Sequence, residues 1–124
     1  MARSPDRAPS QRQRRIAEVM RHGLAEILAR GELRHDGLTG VSVTVSEVRV
    51  SPDMRNATAF VLPLGGENAE GVIAALTTCA PYIRGVLGRQ LQLRHAPQIS
   101  FTLDTSFDYA ERIDSLLRSS PREE

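Results

Sequence analysis

Pro81 lies within a largely apolar stretch that extends from Val72 to Leu91. Proline has no amide hydrogen, and its ring collides with the carbonyl of the residue four positions earlier, so it disfavours a straight helix. The conformation of the preceding residue, Ala80, is restricted as well. We therefore predict a helix that ends at the triplet Cys79-Ala80-Pro81, a kink at that triplet, and a second helix that begins at Pro81 and ends near Leu91.

The same part of the chain is free of acidic residues. No Asp or Glu occurs from Gly71 to Leu103, although this range contains four basic side chains, Arg84, Arg89, Arg94 and His95. The predicted second helix also contains Gly85 and Gly88, which cost about 1 kcal/mol each relative to alanine and therefore suggest that another backbone approaches closely. A phosphate chain is one such backbone. The alternative is that the glycines pack against a neighbouring element and the arginines are merely solvated.

The overall charge of the chain does not by itself indicate a nucleic-acid partner. The net charge is +1, so a case for nucleic-acid binding depends on where the charges lie. All 16 basic residues are arginines, whose planar guanidinium groups suit phosphate, although a coding bias of the genome gives the same composition. A length of 124 residues with 40% hydrophobic residues predicts a single domain.

The single cysteine, Cys79, argues against an internal disulfide bond and against a cysteine-rich zinc site, and is typical of a protein from a reducing compartment. The N-terminal residues lack the apolar segment of a secretory signal. No apolar run approaches the roughly 18 residues needed to span a bilayer. These features together predict a cytoplasmic protein.

The most regular helical pattern follows Ser10. Ser10 and Gln13 have the spacing of a capping box, Gly31 is the expected end of the helix, and residues 1–9 are predicted to be a disordered tail. Apolar residues recur on one face of this helix between Ile16 and Leu28. The basic patch predicted on this helix consists of Arg12, Arg14, Arg15 and Arg21. A solvated helix face is the alternative to a binding surface for such a stripe.

Three strands are predicted from alternating apolar and polar residues. The sequence VSVTVSEVRV changes phase near Ser46-Glu47, which indicates a bulge, and a turn at Ser51-Pro52-Asp53 leads into a second strand at Ala57–Leu64. Asn68 is the expected cap of the next helix, and Gln98–Leu103 is the third strand. A short terminal amphipathic helix is predicted from the spacing of Tyr109, Ile113, Leu116 and Leu117, with residues 118–124 as a second disordered tail.

These elements predict an α+β fold in which helices cover one face of a three-stranded mixed sheet, within one domain at residues 10–117. The order of helix, two strands, helix, kink, helix, strand and short C-terminal helix resembles a type II KH domain. Three motifs, TVSEVRVSPDM, YIRGVLGRQLQLRHAPQISFTLD and ERIDSLL, together resemble the ribosome-binding factor A family over roughly residues 11–117.

The resemblance implies a protein without catalytic activity or cofactor that binds the free small ribosomal subunit. Members of that family act late in subunit maturation, near the 5′ end and the decoding region of the ribosomal RNA, and support RNA processing and growth in the cold. The resemblance also implies a monomer that works alongside other maturation factors. The family has an Ala-x-Gly kink where this sequence has Cys79-Ala80-Pro81, and Arg84 and Arg94 fall within matching motifs.

The candidate RNA-binding surface combines the two basic patches, which neutralise phosphates but read little sequence. Specificity is expected from RNA shape, because few aromatic residues are available for stacking and only Tyr82 lies beside the kink. Partial burial at the start of the helix is the alternative for that tyrosine. The predicted site consists of Arg12, Arg14, Arg15, Arg21, Tyr82, Arg84, Arg89, Arg94 and His95.

Two other classes of function compete with RNA binding. An enzyme would draw on His22, His35 and His95 with Asp36, Asp53 and Asp104, but these residues show no metal-ligand spacing and no nucleophile motif is present, so we predict neither a catalytic nor a metal site. Cys79 is expected to be a small packed residue. A protein-only interaction module would dock a partner through the hairpin edge or the C-terminal helix. A continuous positive surface across both patches favours RNA over that alternative.

Overall fold

A computed structural model of the chain describes residues 8–64 and 68–105. The predicted C-terminal helix and both predicted tails beyond these ranges lie outside the described residues. The elements are α1 (Gln11–Arg30), a short 3₁₀ helix (Asp36–Leu38), β1 (Ser42–Val50), β2 (Asn56–Leu64), α2 (Ala69–Gln90) and β3 (Gln98–Leu103).

The ends of α1 are set by the predicted capping residues. The Ser10 hydroxyl accepts a hydrogen bond from the Gln13 amide at 3.0 Å, and the Gln13 side-chain oxygen accepts one from the Ser10 amide at 2.9 Å. This reciprocal pair is a capping box and satisfies two amides that the helix leaves free. Gly31 closes the helix in the left-handed conformation with φ of 68°, where a side chain would be strained. The predicted bounds of this helix are confirmed.

The sheet is mixed, as predicted. β1 and β2 pair in antiparallel fashion from Ser42 opposite Leu64 to Val50 opposite Ala57, and the register shifts between Val45 and Glu47. This shift confirms the bulge that the valine phase predicted. β3 pairs in parallel with β2, so the order in the sheet is β1-β2-β3.

Both helices pack on one face of the sheet, which confirms the predicted layering. The inward side chains of β2, from Ala57 to Val61, alternate with half-buried ones on the opposite face. The largest fully buried side chains come from both helices and the central strand and are Met20, Leu24, Ile27, Val61, Leu76, Ile83 and Leu87. At about 25 cal/mol per Å² of buried apolar area, this shared core is the main stabilising contribution to the fold.

The predicted break at Cys79-Ala80-Pro81 is wrong, because α2 continues as one helix from Ala69 to Gln90 with Pro81 inside it. An interior proline costs about 3 kcal/mol. Leu76, before the proline, and Ile83, after it, are both fully buried in the same core, so packing of the two halves outweighs that cost. The carbonyl of Thr77 loses the proline as a donor, but Thr77 is exposed, and an unpaired polar group costs far less at the surface than in the core.

Because α2 is unbroken, it is longer than either of the two helices that the sequence predicted. Within the part of the chain that the structure describes, α2 is the one helix long and apolar enough to span a bilayer by length and composition, whereas the sequence suggested no such segment. Six of its apolar residues are buried in the core of the domain: Val72, Ala75, Leu76, Ile83, Val86 and Leu87. The helix also carries Arg84 and Arg89. Such burial is typical of the core helix of a globular domain.

Replacing Pro81 with alanine is expected to raise the free energy of unfolding by about 1–3 kcal/mol, because alanine supplies an amide for the Thr77 carbonyl and removes the ring clash. Urea denaturation followed by circular dichroism measures this change. Pro52→Ala is the matched control. Pro52 occupies the second position of a turn closed by a 2.8 Å bond from the Met54 amide to the Ser51 carbonyl, where proline is favoured, so its loss is expected to cost about 0.4–1 kcal/mol. Destabilisation by Pro81→Ala would contradict the prediction.

Candidate nucleic-acid interface

Three segments that are distant in sequence meet at one end of the molecule: the start of α1, the turn between β1 and β2, and the connection between α2 and β3. The side chain of Gln13 donates a 2.8 Å hydrogen bond to the carbonyl of Val50, which ties α1 to the end of β1. The amide of Gln98 donates to the carbonyl of Arg55 at 2.8 Å, which ties the turn to the start of β3. The three segments are therefore held together by direct hydrogen bonds.

The antiparallel packing of α1 and α2 accounts for this meeting. Gly23, in the middle of α1, faces Leu87 in the second half of α2, and the Tyr82 hydroxyl donates to Glu32, just past the end of α1, at 3.4 Å. Because the two helices run in opposite directions, the start of α1 lies beside the end of α2. Arg12, near the start of α1, and Arg84 and Arg94, on either side of the end of α2, consequently share one side of the molecule.

A groove with a volume of about 1020 Å³ opens between the three segments, and we call it the basic groove. Its charged and polar lining includes a single carboxylate, that of Asp53. The basic side chains that line it are Arg12, Arg55, Arg84, Arg94 and His95, the apolar ones are Ile16, Pro52, Met54, Leu93, Ala96 and Pro97, and the other polar ones are Ser10 and Gln98. Four arginines against one carboxylate make the groove an attractive site for polyanions.

Arg84 is held in place across the groove. Its Nε atom donates a 2.9 Å hydrogen bond to the carbonyl oxygen of Ala96, in the connection between α2 and β3. A guanidinium group has five N–H donors in a fixed plane. One donor therefore anchors the side chain, and within residues 8–64 and 68–105 the other four form no hydrogen bond that would keep them from phosphate oxygens.

The other groove arginines are exposed, and one of them, Arg55, interacts electrostatically with Asp53 without forming an ion pair. Within residues 8–64 and 68–105, the ion pairs of arginine involve Arg21, Arg30 and Arg49, so Arg12, Arg55 and Arg94 form none there. Unpaired surface arginines retain all their donors for a ligand. Such charges attract phosphate over a range of about 8–10 Å at physiological salt.

Asp53 is occupied by its own turn. Its carboxylate accepts hydrogen bonds from the Ser51 hydroxyl at 2.6 Å and from the Arg55 amide at 3.0 Å. These two donors hold the pKa of Asp53 below its usual range. The carboxylate therefore stays ionised near neutrality and acts as a brace for the turn that presents Arg55.

We expect the contribution of Asp53 to stability to vanish in acid. Because its pKa is lowered in the folded state, the stabilisation is fully present above the unfolded pKa of about 3.9 and is lost as the pH falls through the folded value. Asp53→Asn is therefore expected to be less stable than the parent protein near neutral pH, with a difference that shrinks below about pH 4. Thermal melts of both proteins between about pH 7 and pH 2.5 measure it. A constant difference over this range would contradict the prediction.

The structure brings together some of the residues predicted for RNA binding and separates others. Arg12, Arg84, Arg94 and His95 line the basic groove. Tyr82 is 51% exposed but turns toward the C-terminal end of α1, away from the groove. The predicted residues outside the groove lining are Arg14, Arg15, Arg21, Tyr82 and Arg89.

Two of these separated arginines have other contacts. The guanidinium of Arg21 binds the carboxylate of Glu18, which lowers the pKa of Glu18 through a hydrogen bond. Arg89 folds back along α2, where its Nη1 atom lies 3.5 Å from the position that a Cβ on Gly85 would take. Gly88, in turn, faces Ala96 in the following connection. The glycines of α2 thus accommodate neighbouring side chains of the same molecule.

The triplet at the predicted kink is part of the helix and borders the core. Cys79 and Ala80 are half-buried against the core, and Pro81 is exposed. Burial raises the pKa of the Cys79 thiol, so the thiol stays protonated near neutral pH. No group of three or more His, Cys, Asp or Glu side chains with the spacing of a metal site occurs in residues 8–64 and 68–105.

Sequence reasoning missed Arg55 and Met54, both in the turn between β1 and β2. Met54 has a φ of 64°, which is unusual for a residue with a side chain, and its amide donates to the Ser51 carbonyl at 2.8 Å. The predicted turn at Ser51-Pro52-Asp53 already placed the residues that follow it at the tip of the hairpin. The sequence did not show that this tip lies beside the start of β3.

Comparison with known proteins identifies the family. A family model described as ribosome-binding factor A matches residues 12–117 of the chain. The chain belongs to the ribosome-binding factor A family. It is 52% identical over 114 residues to the ribosome-binding factor A of Phenylobacterium zucineum, covering 92% of this chain and 79% of that protein. It is 49% identical over 111 residues to that of Paramagnetospirillum magneticum, covering 90% and 78%. The predicted family is therefore confirmed.

Solved structures of ribosome-binding factor A share the fold. The crystal structure of the Thermus thermophilus protein matches with a TM-score of 0.61 and 24% identity over 73% of this chain and 94% of that one. A homology model of the Thermus thermophilus ribosome-binding factor A, fitted into a cryo-EM map of a 30S complex with that factor, matches with a TM-score of 0.55 and 25% identity over 68% and 86%. The KH-like α+β fold that the sequence predicted is confirmed.

Proposed function

We propose that this protein binds the free small ribosomal subunit by placing its basic groove on folded ribosomal RNA. The observation that carries the proposal is the convergence of Arg12, Arg55, Arg84 and Arg94 on one groove with a single carboxylate. Membership of the ribosome-binding factor A family and the 30S complex of the Thermus thermophilus protein support the same partner. A groove lined by apolar side chains alone, with the arginines scattered elsewhere, would instead have supported docking of a protein partner.

Binding proceeds by replacement of counterions on the RNA with arginine side chains. Phosphate contacts of this kind supply affinity and set the orientation of the protein, with a strong dependence on salt. Arg84 contributes a preorganised donor plane because Ala96 holds its Nε atom, so less side-chain freedom is lost on binding. The protein then shifts the equilibrium between two conformations of the immature subunit. The size of this shift is limited by the difference between its affinities for those two conformations.

We further propose that the protein acts without catalysis in the cytoplasm, as a monomer, late in maturation of the small subunit. In this proposal it contacts RNA near the 5′ end and the decoding region, supports processing of the RNA ends and growth in the cold, and works with other maturation factors. The motifs shared with the family support these details. Of the alternative docking routes, the C-terminal helix lies outside the described residues, and the hairpin edge presents an ion pair between Glu47 and Arg49.

Sedimentation tests the proposal directly. The purified protein is mixed with free small subunits or with assembled 70S ribosomes and centrifuged through a sucrose gradient at about 0.1 M salt. We expect it to travel with free subunits and to remain at the top with assembled ribosomes. Sequencing of ribosomal RNA ends from cells depleted of the protein should show unprocessed 5′ ends. Sedimentation with neither particle, or with both equally, would refute the proposed role.

A further inference from the structure

Part of the lining of the basic groove is apolar, which phosphate binding alone does not require, and we call this apolar part its floor. It includes Ile16, Met54, Leu93 and Pro97. Ile16, Met54 and Leu93 are half-buried, so each leaves part of its surface accessible, whereas Pro97 is buried. A site that only neutralised phosphates would gain nothing from these contacts. An apolar floor with a charged rim matches a ligand that has both a flat apolar part and negative charge.

The dimensions of the groove suit such a ligand. Its volume of about 1020 Å³ lies at the upper end of the roughly 300–1,000 Å³ range of small-ligand sites, which leaves room for a nucleoside and its flanking phosphates. A hydrogen bond to the Ala96 carbonyl restrains the guanidinium group of Arg84, which also lines the groove, and guanidinium planes stack on bases. Gln98 adds an amide at the same edge that can both donate and accept hydrogen bonds.

Met54 is held at the floor at a conformational cost. Its φ of 64° is uncommon for residues other than glycine or asparagine, and the turn enforces it through the 2.8 Å bond from its amide to the Ser51 carbonyl. A glycine would adopt this conformation more easily. Methionine adds an adaptable, polarizable side chain that packs well against irregular or aromatic surfaces.

We propose that the basic groove takes an unpaired nucleotide of single-stranded RNA, with its base against the apolar floor and its neighbouring phosphates on the arginine rim. This inference rests on the proposed function and adds to it the kind of RNA that the groove accepts. Bases of an RNA duplex are stacked and paired, so they do not reach a floor of this kind, whereas the bases of loops and junctions can be splayed out. The groove thereby supplies a contact to a base that the arginines alone lack.

The test compares three short RNAs with the same number of phosphates per strand: a single-stranded pentamer, a pentamer whose nucleotides all lack their bases, and a blunt duplex of the pentamer sequence locked by a covalent linker. Fluorescence anisotropy gives the Kd of each. We expect the single strand to bind about 10-fold more tightly than the abasic strand, as expected for one stacked base, and more tightly than the duplex. Excess adenosine monophosphate is included as a competitor, because a free nucleotide offers the same chemistry.

Met54→Gly provides the matched variant, because the backbone conformation at this position suits glycine. We expect it to bring the affinities for the normal and abasic strands close together, with folding checked by a thermal melt. Equal affinity of the parent protein for both strands, equal or tighter binding of the duplex, or no binding of any pentamer would overturn the inference. Displacement by adenosine monophosphate at similar concentration would overturn it too, by assigning the groove to free nucleotides. Sedimentation with small subunits can succeed in all of these cases, so the two proposals fail separately.

Discussion

Replacing Arg12, Arg84 and Arg94 together with alanine is expected to weaken binding to free small subunits by roughly 100- to 1,000-fold at about 0.1 M salt. Each lost phosphate contact removes about one unit from the slope of log K against log salt, which corresponds to about 10-fold in affinity at this salt. The slope should therefore fall by about 2–3 units. Titrations of labelled protein with subunits at several salt concentrations give both quantities.

The matched control replaces Arg14, Arg15 and Arg34 with alanine. These residues are exposed, lie outside the groove lining and form no ion pair within the described residues. Because this variant also loses three arginines, its net charge changes by the same amount. We expect this variant to lose less than about 10-fold in affinity through the general field of the protein. Arg84→Ala also removes the bond to Ala96, so thermal melts must show that both triple variants are folded. Equal losses in the two variants would show that the groove is not the site.

Leu87→Ala is expected to lower the free energy of unfolding by about 2–5 kcal/mol, because Leu87 is fully buried where α1, α2 and the sheet meet. Stabilities of small domains are roughly 5–15 kcal/mol, so this loss is a large fraction of the total. Gly23 faces the same side chain. A Cβ on Gly23 would lie 2.6 Å from Cδ2 of Leu87, so Gly23→Val overpacks the contact between the helices and is expected to cost about 1–3 kcal/mol.

A double-mutant cycle makes this prediction specific. In the Leu87→Ala background the blocking methyl group is absent, and the next side chain, that of Leu91, is 3.8 Å from the new Cβ. Gly23→Val should therefore cost at least about 1 kcal/mol less than in the parent protein. Leu76→Ala serves as the control background, since Leu76 is equally buried on α2 but does not approach Gly23. Urea denaturation of the six proteins gives the coupling, and additive effects with Leu87→Ala would contradict the proposed contact.

Features with a local cause were predictable from sequence. Ser10 with Gln13, Gly31 and the turn at Ser51 act on residues within a few positions, and their hydrogen bonds form where the sequence places them. The bulge between Val45 and Glu47 is also local, because alternation reveals a shift of phase directly. The family was predictable because its three motifs retain their order.

Features that depend on packing were not predictable. The rule for proline describes the local cost at Pro81, but the burial of Leu76 and Ile83 in one core decides that α2 continues. Likewise, Arg55 and Met54 gain their place in the groove from the pairing of the turn with the start of β3. Arg12 meets Arg84 because the two helices are antiparallel, and a bend at the proline is not needed for that meeting.

The hydrogen bond from the Gln98 amide to the Arg55 carbonyl cannot form until β3 has been synthesised. The chain is synthesised from its N-terminus, so the arginine of the first helix and the hairpin turn leave the translating ribosome before the segment that completes the groove. The groove is complete only when β3 has been made and has paired with β2. Under the proposed function, a nascent chain that lacks β3 is therefore expected to bind RNA more weakly than the finished protein.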